Sequence, residues 1–455
     1  VRPNSLRIVG RDQSLARPLR RARSRLLSLP WWALLFGGLG VVATIAVLVA
    51  LFTPVGRWPP RFTAPDLPAV DSEPFLQAVA AATATSVHAG GTAELFNDGD
   101  AFYGAMLADI GAARHSVTFL AYIWEDGQVS QRFLAALTDR VRRGVQVRLL
   151  LDAFGAVQAP GEGLAALEAA GAEVAYFRPP RFGMLTRFHR RNHRRAIVVD
   201  GVVGFTGGAA VGDKWAGRAR NPEEWRDSMV RVTGPPARSL QAAFAQSWTS
   251  TTGRALVGPA FFPPDDAPPA PAALRHVAVA SSPAPEGHPL RAFFWLSFQA
   301  ARERLYLSCS YFVPDEELRR AVADRARAGV DVRLLLPGEH TDAKPIRWAS
   351  HHYYEELLAA GVRIYEFQPT FMHAKLLVVD GEWTVAGSAN MDIRSKELNE
   401  ENVLGILDPA LAREVERTFL ADLARSTEIR LDQWRRRGRL ARAFERLGVL
   451  FAEQF

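Results

Sequence analysis

The strongest constraint on this chain is that its second half repeats its first. Ala113–Arg114 followed by Ser116-Val-Thr-Phe-Leu-Ala-Tyr122 parallels Ala301–Arg302 followed by Leu305-Tyr-Leu-Ser-Cys-Ser-Tyr311. Gly144-Val-Gln-Val-Arg-Leu-Leu-Leu151 parallels Gly329-Val-Asp-Val-Arg-Leu-Leu-Leu336, and Ala170-Gly171 with Val174–Phe177 parallels Ala360-Gly361 with Val362–Tyr365. Each copy reads as strand, helix, strand, helix, strand. The short branched-aliphatic runs are buried strands, and the Ala/Leu/Arg stretches between them have helical period. Residues 129–143 and 315–328 are such helices, each stopped by a glycine, Gly144 and Gly329. The alternation predicts α/β layers over a parallel or mixed sheet, and two fused copies predict a body with pseudo-twofold symmetry in one chain.

Composition places the rest around this body. A Pro-rich stretch precedes the first copy and another, around Pro259–Pro285, divides the two. The expected divisions are a basic arm over 1–30, a membrane-crossing helix over 31–52, and a linker over 53–90. Then come the first α/β/α domain over 91–255, a Pro-rich linker over 256–284, the second domain over 285–408, and a helical segment over 409–455. The run from Trp31 to Phe52 holds no charged residue. As a helix it is roughly 33 Å long, enough for a hydrocarbon core of about 30 Å. The apolar region of a cleavable signal peptide is usually about 7–15 residues, so a retained span is the preferred reading.

The chain carries a formal net charge of +7. Eight arginines against the single acid Asp12 put all of it into residues 1–30, so the remainder is formally neutral. A general basic footprint for nucleic acid over the body is therefore unsupported. Arginines before the span, with only Arg57 and Arg61 soon after it, predict a cytoplasmic N-terminus and a body on the outer side of the cell membrane. The arm also has the charge to attract anionic lipid headgroups. One cysteine, Cys309, excludes an internal disulfide and any zinc site needing several thiolates.

Each copy closes on the same chemical pattern. The first is His193-Arg194-Arg195 with Asp200-Gly201, and the second is His373-Ala374-Lys375 with Asp380-Gly381. In extended chain, residues i and i+2 share a face, so each histidine converges with a cation, Arg195 or Lys375. A cation neutralises a phosphoryl oxygen while an imidazole attacks or transfers a proton near neutral pH. Two such half-sites face to face would surround one phosphodiester with two imidazoles and two cations. Asp200 and Asp380 precede glycine at expected hairpin turns and complete the candidate catalytic set as buttresses. Downstream, Gly387-Ser388-Ala389-Asn390 and Glu401 answer Gly207-Gly208-Ala209-Ala210 and Asp227. Gly207, Gly208, Ser388 and Asn390 are candidates to hold phosphate oxygens, and Asp227 and Glu401 to orient imidazoles.

The duplicated HxK(x)4D pattern followed by GGxx or GSxN resembles the phospholipase D superfamily. Arg191-Asn192-His193, Tyr311-Phe312-Val313-Pro314-Asp315 and Asn399–Glu401 resemble bacterial cardiolipin synthases, and the similarity runs from about Glu94 to the C-terminus. The resemblance implies two fused phospholipase D-like α/β/α domains and a route without metal or cofactor through a phosphatidyl-histidine. It implies phosphatidylglycerol as donor and a second phosphatidylglycerol as acceptor. His193 would be the nucleophile and His373 the acid and base; the residues alone leave that assignment open.

Two positions depart from the pattern. Arg195 stands where lysine is usual, and Ala210 where the first motif often carries asparagine. Arginine keeps the charge but brings a planar fork, and losing the amide weakens phosphate orientation in that half. Two other readings follow: a phospholipase D-type hydrolase acting on phospholipid or nucleic acid, and a catalytically weak membrane-bound lipid-binding protein. His189 with His193, and His351 with His352, have no zinc signature around them, so no metal is expected. The arginines 178, 181, 187, 190 and 191 fit either headgroup binding or a solvated face. The Arg-rich, apolar stretch Leu431–Phe455 fits either a helix packed on the body or one at a membrane surface. Oligomeric state is not encoded in any of these features.

Overall fold

The computed structural model describes residues 30–52, 61–180, 189–264, 274–283 and 289–451. The chain divides into two units, 1–60 and 61–455. In the first, Trp31–Phe52 forms one helix of 22 residues. Its side chains from residue 45 onward are outside the described set, and among the described residues no helix is long and apolar enough to cross a membrane. The basic arm, apart from Pro30, and Arg181 and Arg187 lie outside the described residues.

The second unit carries sixteen strands among its described residues. In the first copy they are β1 (Val87–Ala89), β2 (Thr92–Asn97), β3 (Ser116–Ala121), β4 (Gln146–Asp152), β5 (Glu173–Phe177), β6 (Ala196–Val199), β7 (Val203–Gly207) and β8 (Ser228–Thr233). In the second they are β9 (Arg275–Ser281), β10 (Arg304–Ser308), β11 (Asp331–Pro337), β12 (Arg363–Phe367), β13 (Leu376–Val379), β14 (Trp383–Gly387), β15 (Glu401–Leu407) and β16 (Ser426–Ile429). One sheet has the order β2-β8-β7-β6-β3-β4-β5 and the other β1-β9-β15-β14-β13-β10-β11-β12-β16. Removing β1 and β16 leaves the same order in both, so the repeat in sequence is a repeat in topology. Both sheets are mixed: β3-β4-β5 and β10-β11-β12 run parallel, and the remaining pairs are antiparallel.

The expected linkers hold more structure than their proline content implies. β1 and the helix Glu73–Ala82 come from 53–90 and β9 from 256–284, while β16 comes from 409–455, expected to be helical. All three strands extend the second sheet, and Phe75 and Leu76 enter its core. Alternation decides the layering. Leu120, Ala196, Val198, Val230 and Val232 of the first sheet share a core with Tyr306, Leu376, Val378, Leu404 and Ile406 of the second. Helices Pro235–Thr252 and Pro409–Leu423 contribute Leu240, Phe244, Val415 and Phe419 to it and so lie between the sheets. Phe119, Leu149 and Ile197 point the other way, onto the outer helices Gly99–Ala112 and Gln128–Arg142. The two copies therefore fold around one shared central core.

Asp200 and Asp380 occupy the tight turns expected of them, with φ of 51° and 53°, followed by Gly201 at 68° and Gly381 at 71°. Two consecutive residues in the left-handed region are what a type I′ hairpin requires, which is why glycine follows aspartate. The turn lies seven residues from the motif histidine, roughly 20 Å of extended chain. Asp200 accepts hydrogen bonds from the backbone N–H groups of Arg114, His115 and Ser116, and Asp380 from those of Arg302, Glu303 and Arg304. Their grouping with the catalytic residues is corrected accordingly: they pin the entry to β3 and β10. Asp200→Ala is expected to cost about 1–3 kcal/mol of stability through three orphaned donors, read as a lower Tm, with activity per folded molecule unchanged.

Candidate active site

His193 and Arg195 lie in the extended lead-in to β6, and His373 and Lys375 in the lead-in to β13. What fixes them is a pair of backbone bridges between the copies. The His193 N–H donates to the Glu400 carbonyl at 2.8 Å and the Glu400 N–H to the Arg191 carbonyl at 2.8 Å. Symmetrically, the His373 N–H donates to the Arg226 carbonyl at 2.7 Å and the Arg226 N–H to Phe371 at 3.0 Å. Each motif is thus stitched to the start of the other copy's carboxylate-bearing strand, β15 or β8.

The stitching exchanges partners. His193 Nδ1 lies 3.0 Å from Oε2 of Glu401, and His373 Nδ1 lies 2.6 Å from Oδ2 of Asp227. Each imidazole is oriented by the carboxylate of the opposite copy, so neither half-site is complete alone. Both carboxylates are anchored at home. The Ser388 hydroxyl donates to Glu401, and the Ser228 N–H and Trp215 Nε1 donate to Asp227 at 2.8 and 3.1 Å. Gly208 occupies the place of Ser388. A Cβ there would collide with the Asp227 carboxylate and come within 2.7 Å of the His373 carbonyl, so only glycine fits.

The carboxylates hold each Nδ1 and leave Nε2 for chemistry. Both rings open on one cavity of about 280 Å³. Arg195, Tyr122, Tyr311, Trp225, Asn390 and Asp392 also line it. Ring contacts fix the imidazoles sideways: Tyr122 at 5.0 Å from His193, and Trp225 and Trp215 at 5.4 and 5.5 Å from His373.

The two cations are held differently. Lys375 Nζ donates to the Ser310 hydroxyl and to the His373 carbonyl, both at 2.8 Å. Arg195 donates through Nη1 to the His193 carbonyl, the same contact by symmetry, while its Nε and Nη2 are buried with no hydrogen-bond partner. Asn402 clamps the Arg195 backbone, accepting from its N–H at 2.8 Å and donating to its carbonyl at 3.0 Å. Asn390 faces the cavity with its carbonyl oxygen unpartnered. Ala210 offers only its backbone oxygen, bound by Tyr103 at 2.6 Å.

Burial among cations keeps the imidazoles neutral. Burial, then the charge of Arg195, lowers His193 to about 4. Burial, then Lys375 and Arg195, takes His373 well below its ordinary range. Burial lifts Asp227 to about 7 against the pull of Lys375, and lowers Lys375 to about 8 against the pull of Asp227. Glu401 behaves oppositely: burial raises it, but His193 and Ser388 bring it below the ordinary carboxylate value.

A family model described as a cardiolipin synthase, PLD-like domain matches residues 106–248 and 297–423. The chain belongs to that family. A cardiolipin synthase of Geobacillus kaustophilus is 34% identical over 365 residues, 78% of this chain and 71% of that protein. Cardiolipin synthase A of Pseudomonas fluorescens is 37% identical, over 79% of this chain and 74% of that protein. A crystal structure of phosphatidylserine synthase from Haemophilus influenzae, at 14% identity, covers 84% of this chain and 97% of its own with a TM-score of 0.59, a likeness of fold.

Of the candidates read from the sequence, the site of this cardiolipin synthase-family chain brings together His193, Arg195, His373, Lys375, Asp227, Glu401, Ser388, Gly208 and Asn390. Gly207 lies one step behind, where β7 pairs with β8. Arg191 is buried on Asp152 at 3.4 Å, which removes it from headgroup binding. Sequence reasoning missed Trp215, Ser310, Asn402, Asp392 and Asp342, which lines the cavity and accepts from the Tyr311 hydroxyl at 2.7 Å. It missed Tyr122 and Tyr311 too, and the strand pairing sets Tyr122 opposite Ser310 rather than opposite Tyr311.

Proposed function

We propose that this chain is a phosphatidyltransferase that moves the phosphatidyl group of one phosphatidylglycerol onto a hydroxyl of a second, releasing glycerol. The observation that carries this reading is the single cavity onto which two cross-anchored imidazoles and Arg195 open, with the Lys375 ammonium 3.3 Å from the His373 Nε2. In the first step, one imidazole Nε2 attacks phosphorus and the bond to the glycerol oxygen breaks. The other imidazole gives that oxygen its proton. In the second, the acceptor hydroxyl attacks phosphorus, returns a proton to the same imidazole, and the N–P bond breaks. One phosphodiester replaces another, so no nucleotide is needed.

The carboxylates support distinct roles. Glu401, held ionised, orients the His193 Nδ1–H and stabilises positive charge on a phosphorylated ring, which fits a nucleophile. Asp227, lifted to about 7, lets the Asp227–His373 pair carry one exchangeable proton near neutrality, which fits the acid and base. His193 is the nucleophile in this reading. The test is product analysis of the full chain in bilayers of labelled phosphatidylglycerol. Cardiolipin and glycerol are expected in equal amounts, with added glycerol suppressing cardiolipin; phosphatidic acid alone as product would mean hydrolysis.

The pH profile follows from the same groups. The pair loses its proton above about 7, and Lys375, cationic below its pKa, loses its charge above about 8. Arg195 stays charged throughout. On short-chain phosphatidylglycerol, kcat/KM is expected to decline in two steps as pH rises. Lys375→Arg is expected to abolish the upper step and leave the lower; an unchanged profile would remove Lys375 from phosphate binding.

The uncharged helix Trp31–Phe52 serves in this proposal as a membrane anchor. The arginines ahead of it put the N-terminus in the cytoplasm and the body outside. A C-terminal alkaline phosphatase fusion is expected to be active in cells; an inactive fusion would reverse this topology.

A further inference from the structure

The helix Arg439–Phe451 is packed the wrong way round for a surface helix of a soluble body. Its outward side carries Leu440 at 78% exposure, Leu450 at 75% and Leu447 at 45%, with Phe444, 47% exposed, leaning on Trp348 at 5.1 Å between ring centroids. Its buried side is Glu445, ion-paired to Arg437 at 2.7 Å, and Gly448, seated on the backbone of Pro345 and Ala349. An amphipathic helix ordinarily turns its apolar stripe to the core. Here a polar and small face is inward, and the apolar stripe is left to the surroundings. Exposed apolar surface of this kind marks an interaction site.

Its position ties it to catalysis. The helix packs on Lys344–Ala359, and Val449 joins a cluster with Val313, Ile346 and Ala349. Ile346 and its neighbour Ala343 also line the catalytic cavity. The stripe therefore sits one helix away from the cavity rim. Across the pseudo-twofold, the segment after β4 exposes Phe154 at 52% and Val157 at 78%. It begins at Asp152, whose carboxylate accepts from the Asn192 N–H at 2.8 Å, one residue before His193.

We infer that this helix docks the catalytic body onto an anionic lipid bilayer, laying the Leu440–Phe444–Leu447 stripe among the acyl chains so that the cavity rim meets the lipid surface. Charge chooses the occupant. From 433 to 451 the one acidic side chain is Glu445, which is buried and paired, while Arg436, Arg439, Arg442 and Arg446 are exposed. An apolar stripe bordered only by arginines fits an interface of hydrocarbon and anionic headgroups. A second copy would set the same arginines against their own kind. The inference rests on the reading above that the substrate is a phospholipid.

The experiment uses the full chain reconstituted in bilayers of phosphatidylcholine, with or without phosphatidylglycerol. A polarity-sensitive fluorophore is attached at Leu440→Cys; Cys309 is buried and does not compete. The emission is expected to shift to the blue and be quenched by spin-labelled acyl chains, more strongly with phosphatidylglycerol present. Leu440→Ser/Leu447→Ser/Leu450→Ser is expected to lower cardiolipin formation from bilayer phosphatidylglycerol by about tenfold or more, the loss of a buried apolar stripe. Activity on monomeric short-chain phosphatidylglycerol should be unchanged. A fluorophore that stays in water in both bilayers overturns the inference, as does a triple variant with full bilayer activity. Burial of the fluorophore without lipid, rising with protein concentration, would assign the face to a second copy and overturn it as well. The fluorophore at one exposed position reports even if the triple variant fails to fold. Should the unmodified chain form no cardiolipin from either substrate, the proposed reaction fails while the fluorophore still decides the docking.

Discussion

Alanine at either His193 or His373 is expected to lower cardiolipin formation by on the order of 10³-fold or more, because each step needs both a nucleophile and a proton carrier. The two losses differ in kind. A phosphatidyl ester with a p-nitrophenol leaving group departs without a proton, so His373→Ala should still transfer the phosphatidyl group to His193 and then stall. No acid is needed for the first step, and no base is present for the second. The adduct should accumulate and be found by peptide mass on the fragment holding His193. His193→Ala should give no adduct. An adduct on His373 would exchange the roles, and activity surviving in both variants would sink the shared-phosphorus mechanism. The exchanged carboxylates add a signature. Glu401→Gln should slow the chemistry of His193, a residue 208 positions away in sequence, more than that of its own copy's His373.

This cross-over marks the limit of what the sequence discloses. Matched segments made the duplication, the mixed α/β layering and both imidazole–cation pairs legible, because strand period and motif spacing are local properties. Asp227 and Glu401 were legible as orienting carboxylates by their shared place after the motif. Which histidine each serves was not, since the answer lies in two backbone bridges formed between copies, at Asn192–Glu400 and Arg226–Met372. Trp215 escaped notice for a similar reason. Its indole reaches Asp227 from a short helical turn with no counterpart among the repeated segments. Proline content misled at β1 and β9, and helical period at β16, where strands are recruited onto the second sheet by pairing with partners far along the chain. Asp200 and Asp380 were read as hairpin-turn residues, but the extended strands carry their carboxylates away from the site they were expected to buttress, onto the entries to β3 and β10.

The departures at Arg195 and Ala210 acquire a different meaning in three dimensions, and the second large effect follows from them. The lysine half has three small polar parts: Lys375, Ser310 bound to its ammonium, and Asn390 at the cavity. The strand pairing sets Tyr122 opposite Ser310 and Ala210 opposite Asn390. The first half has thus exchanged the serine for a tyrosine ring, 5.8 Å from the Arg195 guanidinium, an amide for a methyl group, and a compact ammonium for a guanidinium with two unpartnered donors, Nε and Nη2. A planar fork with two free N–H groups matches two oxygens of one phosphodiester, so it can replace both the lysine charge and the missing amide. Arg195→Lys should then be severe, since lysine would find neither the serine nor the amide there. With charge-assisted hydrogen bonds worth about 1.5–3 kcal/mol, kcat/KM should fall by roughly 10- to 100-fold. The triple change Arg195→Lys/Tyr122→Ser/Ala210→Asn rebuilds the lysine half and should recover most of that loss, an interaction energy that independent sites would not give. A single Arg195→Lys variant with full activity would refute the exchange. A triple variant no better than the single one would mean that Arg195 acts through its packing under Asn402 and Tyr122 rather than as a phosphate fork.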